Sequence, residues 1–427
     1  RGDDGTGKPV SGRPRQYPEH HDEPAVMKLT GKFPIPEKPG RHGMMIHIER
    51  RLLSAAMAAS LWGLVMLMPV NPVHADDSFY LPPEPLPAGL PGDVIRSRPS
   101  LAGPPGAREL ADAWQVMYMS TDGLGKPAVV TGTVLVPKGE DPAAVPIIGL
   151  APGTAGPAFR CAPSKMIDKG AYYEQPAIND MLARGYAVAV TDYVGYHPNP
   201  ATTYIVGESM GAALLNVVRA AQRLPEAGLS ESAPVMLRGY SQGGGAAMWA
   251  GEMLGSYAPE LNLRGIAAGG VPANLAQVAL PLNGQDGFGV LLYALLGQDN
   301  LYPELSLAPF LNAQGQQAVA DMVSDMCVLE LLQDFQGVSL SDVTDINPLT
   351  GPRLQRIAEN ELGSAGIGVP VYQYHEGEDG LVAYGQAVSL RNQYRNAGVN
   401  PPWRAQDRPV RAQSGYARAR GGKGRPA

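Results

Sequence analysis

Gly239-Tyr240-Ser241-Gln242-Gly243 places a serine between glycines at positions −2 and +2. A β-rich run, Pro234–Leu237, precedes it and a helix-forming run, Gly244–Leu254, follows. In that strand–turn–helix setting a Gly-x-Ser-x-Gly turn is sharp and strained, needs small neighbours, and lifts the serine oxygen above a sheet as a nucleophile. The pentapeptide alone is a weak signal, and it occurs twice. Gly207-Glu208-Ser209-Met210-Gly211 also precedes a helix. Topology separates the two. A parallel strand at Tyr204–Val206 would have to connect back to Tyr186–Asp192 through about ten residues that include Pro198 and Pro200. A crossover needs roughly a dozen or more. Ser241 is therefore the expected nucleophile, with Gly207–Arg223 as its crossover helix and Ser209 in that helix's first turn, where serine is common for structural reasons.

The elements around Ser241 read as follows. Pro82–Ala107 is rich in Pro and Gly and predicts an extended surface arm. Trp114–Ser120 and Val129–Val136 alternate as an antiparallel pair about the Gly123–Gly125 turn. Continuous apolar runs at Val145–Leu150, Tyr186–Thr191, Val235–Leu237, Leu263–Ala268 and Val369–Tyr374 mark strands buried on both faces. Helical segments at Pro176–Arg184, Gly207–Arg223, Ala246–Leu254 and Leu381–Ala397 lie among them. Such alternation predicts an α/β fold with a mostly parallel sheet and right-handed crossovers. Residues 271–360 lose the strand pattern and read as a helical insertion between the fourth and fifth parallel strands. The core is thus expected in two parts, 76–270 and 361–400.

The 427 residues are 44% hydrophobic and 17% charged, with 52 Gly and 41 Pro, which excludes a wholly disordered or collagen-like chain. The formal net charge of −6 argues against a nucleic-acid partner, and two cysteines exclude a disulfide scaffold and a Cys-built zinc site. No cofactor or metal is called for. The charge is uneven: +3 over residues 1–75, −15 over 76–400 and +6 over 401–427. Residues 1–43 show no periodicity and read as sequence upstream of the native start at Met44 or Met45. Residues 44–75 run from Glu49-Arg50-Arg51 through an apolar stretch, Leu52–Val70, to Val73-His74-Ala75. That is the plan of a secretory signal peptide, the alternative being a membrane anchor. An extracellular, oxidising destination predicts that Cys161 and Cys327 pair.

The body resembles the secreted lipase family, which includes the fungal lipase A type and many bacterial secreted lipases. The resemblance is carried by Leu150-Ala-Pro-Gly-Thr154, Cys161-Ala-Pro-Ser164, Asp192-Tyr-Val-Gly195, Ala212–Ala221, Gly239–Gly244 and His375-Glu-Gly-Glu-Asp379, in the family's order over roughly residues 85–400. It implies an α/β-hydrolase with a helical cap, acting on carboxylic esters and triacylglycerols, with Asp379 as the catalytic acid. Asp345, Glu376 and Glu378 are the rivals. Two N–H donors must face the oxyanion. Gln242, directly after the nucleophile, supplies one, and the loop around Gly153-Thr154-Ala155 the other, with Thr154 preferred.

The base is the gap. The histidines are His20, His21, His42, His47, His74, His197 and His375, and none follows Asp379, where the resemblance places the base. His375 reads as structural, which leaves His197, beyond the strand ending near Asp192, as the candidate base. Residues 401–427 show neither strand nor helix pattern and read as an aberrant basic tail, better explained by a frameshift or truncation than by design. The alternative is a genuine disordered basic tail. The leading expectation is a secreted, extracellular serine ester hydrolase meeting a lipid or small ester at a lipid interface, with impaired activity. A peptidase or acyltransferase on the same fold, or a non-enzymatic hydrolase-like protein, are the competing readings.

Overall fold

A computed structural model of the chain describes residues 77–103, 106–398 and 404–406. The upstream segment, the signal-peptide segment and nearly all of the basic tail lie outside the described residues.

The strands are β1 Val94–Pro99, β2 Ala111–Thr121, β3 Pro127–Pro137, β4 Ile147–Ala151, β5 Ala187–Val194, β6 Val235–Tyr240, β7 Leu263–Gly269, β8 Val371–Tyr374 and β9 Arg404–Gln406. They form one sheet in the order β1-β2-β3-β5-β4-β6-β7-β8-β9. Pairing is antiparallel from β1 through β3 to β5. It is parallel from β5 through β4, β6, β7 and β8 to β9. The central strands are mostly apolar because both sheet faces are covered. Ile147, Ala187 and Ala189 join one buried cluster, which includes Leu214, Val218 and Ala247 of the helices Gly207–Arg223 and Gln242–Tyr257. Ile148, Val188 and Val190 join another, with Ile178 and Leu182 of the helix Gln175–Ala183. The two-residue period of a strand produces this division.

Two expectations are corrected. The arm at 82–107 is not wholly extended surface: its Val94–Pro99 segment is an edge strand, since Val-Ile-Arg-Ser-Arg alternates between flanking Gly92 and Pro99 and can pair on one side only. Nor is the tail wholly without structure, for Arg404–Gln406 adds a short parallel strand to β8. A three-residue strand is too short to leave a periodic signal.

Between β7 and β8 the chain is helical: Leu275–Leu282, Phe288–Leu301, Ala313–Asp325, Val328–Asp334, Leu340–Val343 and Gly351–Glu359. Asn274 and Asn312 start two of these helices with side-chain oxygens that accept from Gln277 N and Gly315 N.

Candidate active site

Ser241 sits between β6 and the helix Gln242–Tyr257 at φ 57°, ψ −121°, a strained conformation for a residue with a side chain. Its N–H donates to Gly269 O at 2.9 Å and its carbonyl accepts from Gly245 N at 3.0 Å. The glycines of the motif are required by close approach. A Cβ on Gly239 would lie 2.2 Å from Gly243 O, and one on Gly243 would lie 2.0 Å from Ala151 O. Ser209 is elsewhere, buried in the first turn of Gly207–Arg223, with its hydroxyl on Thr203 Oγ1 at 2.7 Å.

Ser241 opens onto a cavity of about 1240 Å³ between the strand ends and the helical insertion. Gly153, Thr154, Gln242, Glu174 and Asp379 line it on the sheet side. Leu275, Val278, Leu282, Leu291, Leu295 and Leu332 line it from the insertion. Neither His197, His375 nor Asp345 lines it.

The loop after β4 is held by groups outside it. Tyr193 Oη donates to Pro152 O at 2.8 Å, Tyr173 Oη to Thr154 O at 3.4 Å, and Tyr196 Oη to Gly156 O at 2.6 Å. Val328 N, from the insertion, donates to Ala155 O at 2.8 Å. The Thr154 and Tyr204 hydroxyls bond at 2.7 Å, and Tyr204 stacks on Tyr293 of the insertion with ring centroids 3.9 Å apart. Glu174 accepts from Gly153 N at 3.3 Å and from the Tyr172 hydroxyl. Burial pushes the Glu174 carboxyl above its ordinary value, against these two hydrogen bonds and the Arg238 charge. Gly153 N–H is thus directed to Glu174, and both Gly153 and Thr154 line the cavity. Gln242 N–H, at the first position of its helix, has no i−4 carbonyl inside that helix.

Downstream, Cys161 and Cys327 form a disulfide with Cα atoms 5.5 Å apart, tying this segment to the insertion. Arg160 reinforces the join through ion pairs to Asp325 and Glu330.

Asp379 lies in the loop after β8. Its Oδ1 accepts from Leu381 N and Val382 N, both at 2.9 Å, and its Oδ2 accepts from the Tyr240 hydroxyl at 3.1 Å. The residue beside the serine in the motif thus reaches Asp379, a contact that the pentapeptide spelled only as an unspecified position. Glu376 and Glu378 also line the cavity. Asp345 is exposed within the insertion, its N–H on Phe310 O.

Neither remaining histidine meets the serine's requirement. His197 is half-buried in the loop after β5 and stays outside the cavity; burial alone lowers its pKa. The preceding Tyr196 donates its hydroxyl to Gly156 O. The expectation that His197 approaches the nucleophile is therefore corrected. His375 is 2% exposed, with Nε2 at 2.8 Å from Val382 O and 3.9 Å from Asp379 Oδ2. It braces the Asp379 loop through Val382 O.

An elbow serine and a carboxylate loop at the carboxyl edge of a mostly parallel sheet, beneath a helical insertion, define an α/β-hydrolase of the lipase and esterase class, a carboxylic ester hydrolase. The secretory lipase family model matches residues 163–404, more than half of the chain, and the chain belongs to that family. Lipase 5 of Candida albicans is 27% identical over 78% of this chain and 75% of its own length. A Mycobacterium tuberculosis protein named "probable inactive lipase" is 28% identical over 76% of this chain and 75% of its own. Among solved structures, Candida antarctica lipase A superposes with a TM-score of 0.69 at 25% identity, covering 78% of this chain and 80% of that one. A rice cell wall degrading esterase from Xanthomonas oryzae shares the fold, with a TM-score of 0.62 at 23% identity over 75% of this chain and 91% of that one.

Proposed function

We propose that the protein is a secreted serine hydrolase of lipid esters in which Ser241 is the nucleophile, Asp379 the acid, and the N–H groups of Gln242 and Thr154 the oxyanion donors. The observation that carries this reading is the strained elbow at Ser241 opening onto the same apolar-walled cavity as Asp379. In the reaction Ser241 Oγ attacks the ester carbonyl carbon, the carbonyl oxygen takes the negative charge, and the two N–H groups receive it. The serine proton must go to a base, and the alcohol must leave with a proton. Secretion is supported by the apolar stretch Leu52–Val70 and by the disulfide.

Residues 380–427 contain no histidine, and His197 and His375 stay outside the cavity. On this reading Ser241, Asp379 and the two N–H groups are the working parts, and no histidine among the described residues lines the cavity with them. Loss of the base from such a set lowers turnover by roughly 10⁶-fold, since a neutral serine is a poor nucleophile at pH 7. The tests are p-nitrophenyl butyrate hydrolysis and fluorophosphonate labelling of residues 76–427. Both are expected near background. Ordinary lipase turnover, abolished by Ser241→Ala and by His197→Ala, would make His197 the base. Turnover insensitive to Ser241→Ala would remove the serine reading.

A further inference from the structure

The cavity beside Ser241 has two unlike sides. From the insertion it is walled by aliphatic side chains such as Leu275, Leu291 and Leu295. From the sheet it is met by Glu174, Arg238, Tyr240 and Tyr374. The two-residue period puts Arg238 and Tyr240 on one face of β6. These two are half-buried, whereas Val235, Leu237 and Gly239 on the other face are buried. Glu174 and Tyr374 are half-buried as well, so all four residues keep accessible surface in the cavity they line.

The four form one patch. Arg238 hydrogen-bonds the Tyr374 hydroxyl, and its charge acts on Glu174. Between β6 and β8 lies Gly269 of β7, where a Cβ would fall 2.4 Å from Tyr374 Cε2 and 2.5 Å from Tyr240 Cδ2. Only glycine leaves room for both rings across this strand, with centroids 5.8 Å apart. Tyr372 stacks on Tyr374 at 5.8 Å and is 39% exposed, so the aromatic surface continues from the cavity towards solvent. The Tyr240 hydroxyl is committed to Asp379 and the Tyr374 hydroxyl to Arg238 and Gly239 O. What the rings have left to offer is their faces.

An ester has two halves, and the aliphatic wall suits an acyl chain. We propose that the Glu174–Arg238–Tyr240–Tyr374 patch binds the alcohol half, and that this half is a sugar or another cyclic polyol. The proposal rests on reading the cavity as an ester site. Ring hydroxyls accept from the Arg238 guanidinium and donate to the Glu174 carboxyl, which has acceptor capacity beyond Gly153 N–H and the Tyr172 hydroxyl. The weakly positive C–H groups of a polyol ring rest on the negative faces of the tyrosines. A cationic alcohol would be opposed by Arg238 and an anionic one by Glu174, so a neutral head group is selected. A simple alkyl alcohol would leave the patch without partners, and a site built to hydrogen-bond hydroxyls discriminates against it.

The test is equilibrium binding, with Ser241→Ala in every protein so that no ester is consumed. 6-O-Octanoylglucose, methyl octanoate, octanoylcholine and octanoyloxyacetate are titrated calorimetrically into the full chain and into chains that also carry Tyr374→Phe, Tyr374→Leu or Arg238→Met. Unfolding midpoints verify the fold of each. The glucose ester is expected to bind about tenfold or more tightly than the other three. Tyr374→Phe keeps the ring and should keep most of that preference. Tyr374→Leu and Arg238→Met should lose it while binding methyl octanoate as before, which a general loosening of the cavity would not produce. Equal binding of all four esters would overturn the proposal, as would a preference that survives both Tyr374→Leu and Arg238→Met. So would tightest binding of octanoylcholine, which would assign the alcohol side to the carboxylates Glu376 and Glu378 instead. If esters bind without preference, only the polyol proposal falls. If none binds, the reading of the cavity as an ester site falls with it.

Discussion

The two loops that flank Ser241 are built to different standards. On one side the loop Pro152–Gly156 is gripped from outside: four tyrosine hydroxyls on its carbonyls, Glu174 on Gly153 N–H, Val328 of the insertion on Ala155 O, and a disulfide just downstream. On the other side Asp379 is held by two N–H groups of its own loop and one hydroxyl from the elbow. Its strand, β8, is four residues long and is flanked by the three-residue β9. Where charge must be stabilised, many partners fix each atom. At the proposed acid, Asp379, the side-chain donor is the Tyr240 hydroxyl, and the His375 Nε2, 3.9 Å from Oδ2, is 2.8 Å from Val382 O. The two loops are anchored to different parts of the fold, one to the insertion and to tyrosines of other elements, the other to its own backbone and the elbow.

Breaking the tighter side should have the largest effect. Replacing both Cys161 and Cys327 by alanine removes a link across 166 residues of sequence and is expected to cost about 2–5 kcal/mol. The urea midpoint measures the loss. Hydrogen exchange should quicken at Ala155 and Val328 and stay unchanged at Leu381 and Val382. Equal quickening at both places would show that the two loops are not independent.

Glu174 sharpens the comparison through pH. Its folded carboxyl titrates above the unfolded value, so between the two the native state binds more protons than the unfolded state. Stability therefore falls as pH rises from the ordinary glutamate range through the raised value. Glu174→Gln keeps an oxygen for Gly153 N–H and removes the titration. Its unfolding midpoint should be flatter between pH 4 and pH 8 than that of the unsubstituted protein. An unchanged pH dependence would show that Glu174 does not carry the buried charge.

Much of this architecture is legible in the amino-acid chain, for identifiable reasons. The parallel strands are continuous apolar runs because both faces are covered, and Gly207–Arg223 is bounded as its spacing predicts. Ser241 could be told from Ser209 because crossover length is a topological constraint that needs no side-chain detail. What stayed hidden depends on contacts distant in sequence. Nothing in Tyr172-Tyr173-Glu174 announces that its carboxylate meets Gly153, nor in Tyr193 that its hydroxyl meets Pro152. The edge strand β1 hid among prolines, and β9 is too short for any period to appear. His197 looked near the nucleophile because it follows a strand that ends at the right edge. Yet it is not among the residues that line the cavity, because the path of the loop after β5 and not the end of the strand decides where it lies.

The smallest expected effect belongs to Tyr240→Phe. The substitution removes the hydroxyl on Asp379 Oδ2 and keeps the ring, which packs beside Tyr374 with centroids 5.8 Å apart. Asp379 Oδ1 retains both backbone donors, so the loop should hold its place. One net hydrogen bond to a charged group is worth about 1.5–3 kcal/mol when it is buried, and less here because Asp379 faces the cavity. A loss of about 1 kcal/mol in unfolding free energy is expected, with hydrogen exchange at Leu381 and Val382 nearly unchanged. Burial and the neighbouring carboxylate hold the Tyr240 phenol above its ordinary value, so it stays protonated and donating across the neutral range. The stability difference between the unsubstituted protein and Tyr240→Phe should therefore be constant from pH 6 to pH 9. A difference that vanishes as pH rises through that window would mean the phenol ionises there, and Tyr240 would then be a proton acceptor beside Ser241 rather than a fixed donor to the acid.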